Sequence, residues 1–125
     1  MDTIKRRALL KAQNNPNKAI DYLITLEAFC PHETRRVSLR YVPDKQVLES
    51  ACFETYINNL FNDKTQTVET LANRLLEDIN NELVVRWVQV IVFEDLSDTA
   101  MHSVVVEDHQ PHWENPHLIA RMTKI

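Results

Sequence analysis

The chain contains no glycine in its 125 residues. At the usual frequency of about 7%, chance absence over this length is on the order of one in ten thousand. The gap constrains folding first, because tight hairpin turns, helix C-termini and β-bulges place residues at positive φ, where a Cβ is a steric burden. Asparagine is the next best residue for left-handed backbone. It occurs at Asn14, Asn15, Asn17, Asn58, Asn59, Asn62, Asn73, Asn80, Asn81 and Asn115, so turns are expected to be made with Asn and Asp. Function classes fall away as well. A phosphate-cradling P-loop, a GxGxxG dinucleotide turn and a GxSxG nucleophile elbow all need glycine where backbone meets ligand.

An apolar fraction of 44% with 26% charged residues fits one soluble globular domain. Cys30 and Cys52 form neither a disulfide framework nor a CxxC motif, which points to a reducing, cytoplasmic setting. No cleavable leader is expected from Met1 to Asn14, and no apolar run in the sequence approaches membrane-spanning length. Residues 1–18 carry Lys5, Arg6, Arg7, Lys11 and Lys18 against Asp2, leaving the remainder more acidic than the overall charge of −4. This basic arm is expected to be a solvated, frayed terminus, and direct nucleic-acid contact is not expected.

Periodicity divides the rest. A weak helical pattern (Ile4, Ala8, Leu9) ends at Asn14-Asn15-Pro16-Asn17. From Ala19 to Cys30 the period is two, with Ile20, Tyr22, Ile24, Leu26 and Ala28 on one face. Thr34 to Val42 alternates again, with Val37, Leu39 and Tyr41 inward and Arg36, Ser38 and Arg40 outward. The short connection makes the pair a hairpin. Val47, Leu48, Ala51, Cys52, Tyr56, Ile57, Leu60 and Phe61 recur at helical spacing through Asn62. A second helix starts at the N-cap Thr67, carries the stripe Val68, Leu71, Ala72, Leu75, Leu76 and Ile79, and ends at Asn80-Asn81. Leu83 to Phe93 and His102 to Val106 are apolar β-rich runs around a polar turn, Asp95 to Thr99. The order β-β-α-α-β-β predicts an α+β fold, a four-stranded antiparallel sheet with two helices on one face. The expected organisation is a basic arm over 1–18, one domain over 19–108 and a C-terminal tail over 109–125.

The ordered set Asn15-Pro16, Asp21-Tyr22-x-Ile24, Phe29-Cys30-Pro31, Tyr41-Val42-Pro43-Asp44, Val47-Leu48-Glu49-Ser50, Tyr56 and Glu69 resembles the QueF-type 7-cyano-7-deazaguanine reductases. These belong to the tunnelling-fold (T-fold) superfamily, which also holds GTP cyclohydrolase I. The resemblance covers roughly residues 15–94. It implies reduction of a nitrile to an aminomethyl group by NADPH, on the way to the tRNA base queuosine. It further implies that Cys30 attacks the nitrile to form a thioimide and that Glu69 holds the purine-like base, with Glu49 and Ser50 as further substrate contacts. The residue types suit the chemistry. A nitrile carbon is a soft electrophile matched to a thiolate, and a carboxylate accepts two hydrogen bonds from an aminopyrimidinone edge.

The chain departs from the family pattern in several places. The loop carrying the family's proton-donating aspartate is shorter here and reads His32-Glu33-Thr34-Arg35-Arg36, which leaves His32 or Glu33 for protonation. The family's Glu-Ser-Lys-Ser-x-Lys segment, whose lysines bind NADPH phosphates, reads Glu49-Ser50-Ala51-Cys52-Phe53-Glu54. Both lysines are missing, so NADPH is expected only if the chain is a reductase. A histidine before the base-binding glutamate is Val68, and the family's Arg-Gly-Gly is absent. A non-reducing relative of the amidinotransferase type and a non-catalytic T-fold binding or structural subunit are the alternatives.

Other features have plainer readings. Cys30-x-His32 is similar to the zinc-binding run of GTP cyclohydrolase I, but no second cysteine follows Cys52, so no metal is expected. His109, His112 and His117 with Glu114 lie in a polar tail and read as surface residues. Arg35, Arg36 and Arg40 could meet a phosphate or RNA, and on an outer hairpin face they are expected to be solvated or paired with acids. Cys52 and Trp87 read as core. Because Leu83 to Phe93 is apolar on both sides, the sheet wants a partner. The resemblance implies homo-oligomeric barrels with interfacial sites, Cys30 of one copy beside Glu69 of the next, acting on a purine-like small molecule with no membrane involved.

Overall fold

A computed structural model describes residues 2–30 and 34–122. The chain runs α1 (Thr3–Arg7), β1 (Ala12–Asn14), β2 (Ile24–Phe29), β3 (Arg35–Val42), β4 (Gln46–Leu48), a 3₁₀ turn (Ser50–Cys52), α2 (Phe53–Leu60), α3 (Val68–Leu83), β5 (Trp87–Ser97), β6 (Ala100–His109) and α4 (Pro116–Ala120). The main sheet has the order β2-β3-β5-β6, antiparallel throughout. This is the α+β layout expected for a T-fold-like domain. Among the described residues no helix is long and apolar enough to cross a membrane.

Alternation builds the core. Val37, Leu39 and Tyr41 of β3 and Val88, Val90 and Val92 of β5 share one face and pack against Tyr56, Ile57 and Leu60 of α2 and Leu71, Ala72, Leu75 and Ile79 of α3. Thr67 caps α3 as its sequence predicts, its hydroxyl accepting from the Thr70 N–H at 3.2 Å. The helix continues past Asn80-Asn81 to Leu83 because Leu83, four residues after Ile79, extends the buried stripe. Val84, expected in a strand, is instead the C-cap at φ 51° and ψ 66°, and it is exposed.

Left-handed backbone is therefore not supplied by asparagine. Among the described residues Val84 and His112 (φ 65°) hold the positive-φ positions. Asn and Asp shape turns through their side chains instead. Asn15 Oδ1 accepts from the Asn17 N–H and the Tyr22 hydroxyl, and Asp63 accepts from the Thr65 N–H, the Thr65 hydroxyl and Gln66. These donors hold the exposed Asp63 carboxyl down at about 2.

Three further expectations need correction. The strand predicted from Ala19 starts at Ile24, because residues 15–22 are held by side-chain bonds: Asp21 accepts from Arg86 at 2.8 Å, Trp113 at 3.1 Å and Asn115 at 3.2 Å. Ile20, placed on the inner face, is consequently exposed. The helix predicted from Val47 starts at Phe53. Val47 and Leu48 pair with Gln13 and Ala12, and the Leu48 N–H is taken by the Tyr41 hydroxyl at 2.9 Å. Burial pushes the Tyr41 phenol up to about 12. The polar turn shrinks to Asp98-Thr99, with β5 and β6 paired to Ser97 and Ala100 across a bulge.

The basic arm is docked rather than frayed. Asp78 of α3, fully buried, accepts from Arg6 Nε at 2.6 Å and NH2 at 3.0 Å, from Arg7 Nε at 2.7 Å and from the Tyr56 hydroxyl. Burial alone raises the Asp78 carboxyl, but the donors from Arg6, Tyr56 and Arg7 outweigh it and hold the group below its ordinary value. The tail is anchored too. Trp113 and Asn115 reach Asp21, and Gln110 reaches Asp44 at 3.0 Å.

Candidate functional site

Cys30 directly follows β2, on the same parity as Ala28, the face covered by the helices, and is buried among core residues. Its N–H donates to the Arg35 carbonyl at 3.1 Å, which closes the β2-β3 hairpin and sets Arg35 opposite it. Register carries the row onward. Arg35 pairs with Glu94 on β5, and Glu94 pairs with His102 on β6. The Arg35 guanidinium donates to the Glu94 carboxylate. His102 Nε2 lies 3.5 Å from Glu69 Oε1, which descends from the first turn of α3.

Four strands and one helix N-terminus thus contribute one residue each to a polar row along one end of the helix-covered face. Cys30 is at its buried end and Glu69, more than half exposed, at its open end. A carboxylate at the second position of a helix is also favoured by the macrodipole, and the His102 contact fixes where it points. The row offers a thiol, a guanidinium and a carboxylate that are held in order. Cys30 and Glu69 stand at its opposite ends, three inter-strand spacings apart, about 14 Å.

Sequence reasoning did not mark Arg35, Glu94 and His102 as a site. Strand parity was the available signal. Arg35 alternates with Val37 and Leu39, Glu94 with Val92, and His102 with Val104, so all three belong to the helix side. What joins them is cross-strand register.

The other expected residues fall elsewhere. Glu49 and Ser50 are exposed and sit next to Leu48, at the Tyr41 end of β3. Tyr41 is six residues from Arg35, roughly 20 Å along the strand, so within one chain they do not meet Cys30. Cys52 is half-buried against the core, its Sγ donating to the Glu49 carbonyl at 3.0 Å. His32 and Glu33 lie outside the described residues. Among those described, no cluster of three His, Cys, Asp or Glu side chains could hold a metal.

Residues 34–112, more than half of the chain, match the family model described as "QueF-like protein". The span includes Arg35, Glu69, Glu94 and His102, and Cys30 precedes it by four positions. The chain is similar to the NADPH-dependent 7-cyano-7-deazaguanine reductase of Prochlorococcus marinus (strain AS9601), with 29% identity over 86 residues, 62% of this chain and 62% of the relative. It thus spans less than two thirds of that reductase's length. With the T-fold-like layout and the matched family span together, the chain belongs to the QueF-like protein family, as a divergent member.

Proposed function

We propose that this chain is an enzyme of 7-deazaguanine metabolism in which Cys30 attacks the nitrile of 7-cyano-7-deazaguanine. The observation that supports the reading is that the row from Cys30 through Arg35 and Glu94 to His102 and Glu69 ends at the two edges of the sheet, so that β2 of one copy beside β6 of another would bring Cys30 next to Glu69. Glu69 takes the N–H groups of the aminopyrimidinone edge, as a carboxylate does best for a guanine-like ring. Cys30 reacts as its thiolate, the nucleophilic form of cysteine. In the addition, sulfur bonds to the nitrile carbon, one C–N π bond breaks and the thiol proton passes to nitrogen. The product is a thioimide, with no leaving group. His32 or Glu33 carries that proton from sulfur to nitrogen.

The relative is named for its dependence on NADPH, but residues 49–63 of this chain contain no Lys or Arg, and Glu54 occupies the first turn of α2. That segment does not fit the cofactor's phosphates, so the proposed reaction stops short of reduction to the aminomethyl product. The same observation favours a second use of the thioimide, transfer to ammonia or an amine. The molecule works in the cytoplasm as a homo-oligomer, with Glu69 of one copy able to serve Cys30 of another. The outer edges of β2 and β6, which have no strand neighbour among the described residues, support that assembly.

The test is incubation with 7-cyano-7-deazaguanine followed by intact-protein mass spectrometry. The expected adduct has the full mass of the substrate, survives in Cys52→Ala and is lost in Cys30→Ala. No adduct on the wild type, or an adduct that persists in Cys30→Ala, overturns the proposal and leaves a non-catalytic T-fold subunit. Added NADPH is expected to show little or no oxidation.

A further inference from the structure

The three arginines of β3 divide between the two faces of the sheet. Arg35 belongs to the row that starts at Cys30, whereas Arg36, Ser38 and Arg40 stand on the face that α2 and α3 leave uncovered. The expectation that these outer residues are solvated fails for Arg40, which is 6% exposed because β2 and β5 flank β3 on both sides. Ser38 is 2% exposed. Among the described residues, neither Ser38 Oγ nor Arg40 Nε has a hydrogen-bond partner, and Arg40 has no ion pair. Arg36 also lacks a carboxylate among them; its guanidinium lies 4.6 Å over the Phe93 ring, with Met101 Sδ at 3.7 Å.

A buried donor left without an acceptor is costly, and a buried charge without a counter-charge more so. Here Ser38 Oγ and Arg40 Nε, buried two residues apart on one strand, have no acceptor among the described residues, and the half-buried Arg36 on the same stripe has only the Met101 sulfur. At Arg36 and Ser38, next along the strand from Arg40, is a cavity of about 300 Å³ lined by Glu27, Phe29, Arg36, Ser38 and Phe93. Phe29 is 65% exposed although it is an apolar ring. Arg36 pairs with Phe29 on one side and Phe93 on the other, so the two rings flank the stripe. Glu27, directly across from Ser38, adds one acceptor for a ligand N–H.

We infer that the open face of the sheet holds a binding site for a mononucleotide, with the phosphate on the Arg36-Ser38-Arg40 stripe and the base against the exposed ring of Phe29. The chemistry matches group for group. Guanidinium and hydroxyl donors complement a phosphate, an exposed aromatic ring stacks on a base, and the carboxylate of Glu27 takes a base N–H. The site is on the opposite face of the sheet from Cys30 and Glu69. It does not rest on the proposed function, and either can fail without the other.

The test is calorimetric titration of the full chain with adenosine 5′-monophosphate, guanosine 5′-monophosphate, inorganic phosphate and adenosine. A mononucleotide is expected to saturate the protein, with phosphate and adenosine each weaker by about tenfold or more. Arg40→Met and Ser38→Ala should each weaken mononucleotide binding by about tenfold, as loss of one good contact does. Arg74→Met, a surface cation on α3, and Cys30→Ala should leave it unchanged. If Arg40→Met fails to fold, as judged by circular dichroism, Arg36→Met and Ser38→Ala carry the test. No saturable mononucleotide binding, or binding indifferent to the stripe variants, overturns the inference. So does an Arg40→Met protein that changes its assembled mass while binding nucleotide normally, since the partner of Arg40 is then a carboxylate of a second copy.

Discussion

Replacing Asp78 by asparagine should be among the most damaging single changes in the molecule. The carboxylate is fully buried and accepts two hydrogen bonds from Arg6, one from Arg7 and one from Tyr56. An amide keeps one acceptor oxygen and turns an N–H₂ group toward donors. The buried Arg6 charge then has no counter-charge, a loss of about 3–5 kcal/mol when one partner of a buried pair is removed. At this chain length that corresponds to a fall in Tm of roughly 10–20 °C. The measurement is urea unfolding followed by tryptophan fluorescence, on Asp78→Asn, Arg6→Met and the double variant. Because the two side chains share one bond network, the double variant should be less destabilised than the sum of the singles by about 2 kcal/mol. The N-terminal segment should also become cleavable by trypsin at Arg6 and Arg7 in Asp78→Asn under conditions that leave the wild type intact. An Asp78→Asn protein within about 1 kcal/mol of wild type, or strict additivity in the cycle, would refute the claim that this carboxylate holds the arm.

Val84→Gly should stabilise the protein by about 0.5–1 kcal/mol, since a β-branched residue at φ 51° carries left-handed strain of about 1–2 kcal/mol that glycine lacks, partly offset by the freer unfolded chain; a lower urea midpoint in the variant would count against this. Asp78 and Asp21 are both held below the ordinary carboxylate value: burial raises each, and donors from Arg6 in one case and from Asn115 and Arg86 in the other prevail. A depressed folded value means stability that is present above the unfolded pKa of about 4 and lost as pH falls through the folded values. The urea midpoint should therefore drop from pH 5 to pH 3, and the slope should flatten in Asp78→Asn. Leu75→Ala, at a site with no exposure in the centre of α3, should cost about 2–5 kcal/mol by calorimetry; a smaller loss would mean the helix is not clamped to the sheet as described.

Much of the architecture could be read from residue pattern. Alternation in 36–42 assigned side chains to the correct faces, although Arg35, read as outward, belongs to the helix side, and the Thr67 cap with its apolar stripe located α3. It could not separate Val47-Leu48 from the helix that follows. Both residues satisfy a helical stripe and are buried in β4 as well, and the choice came from backbone partners at Gln13 and Ala12 and from the Tyr41 hydroxyl. The arm shows the same limit at larger distance. Nothing in the run Lys5-Arg6-Arg7 announces that a carboxylate 72 positions away will bury one of its members.

The missing glycine posed a backbone problem that the sequence alone suggested asparagine would solve. Packing chose Val84 instead, because Leu83 had to reach the core and the chain had to leave the helix at the next residue. The sequence by itself determined the order of the four main strands and the two covering helices, the inward residues of β3 and the family resemblance, since each depends on local periodicity or on residue identity. Only the tertiary structure decided that Cys30, Arg35, Glu94, His102 and Glu69 form one row, and that Ser38 and Arg40 are buried on the opposite face without acceptors among the described residues. Alternation says which side a residue faces. Which residue lies beside it is set by register between strands far apart in the chain, and register is fixed by packing of the whole sheet against α2 and α3.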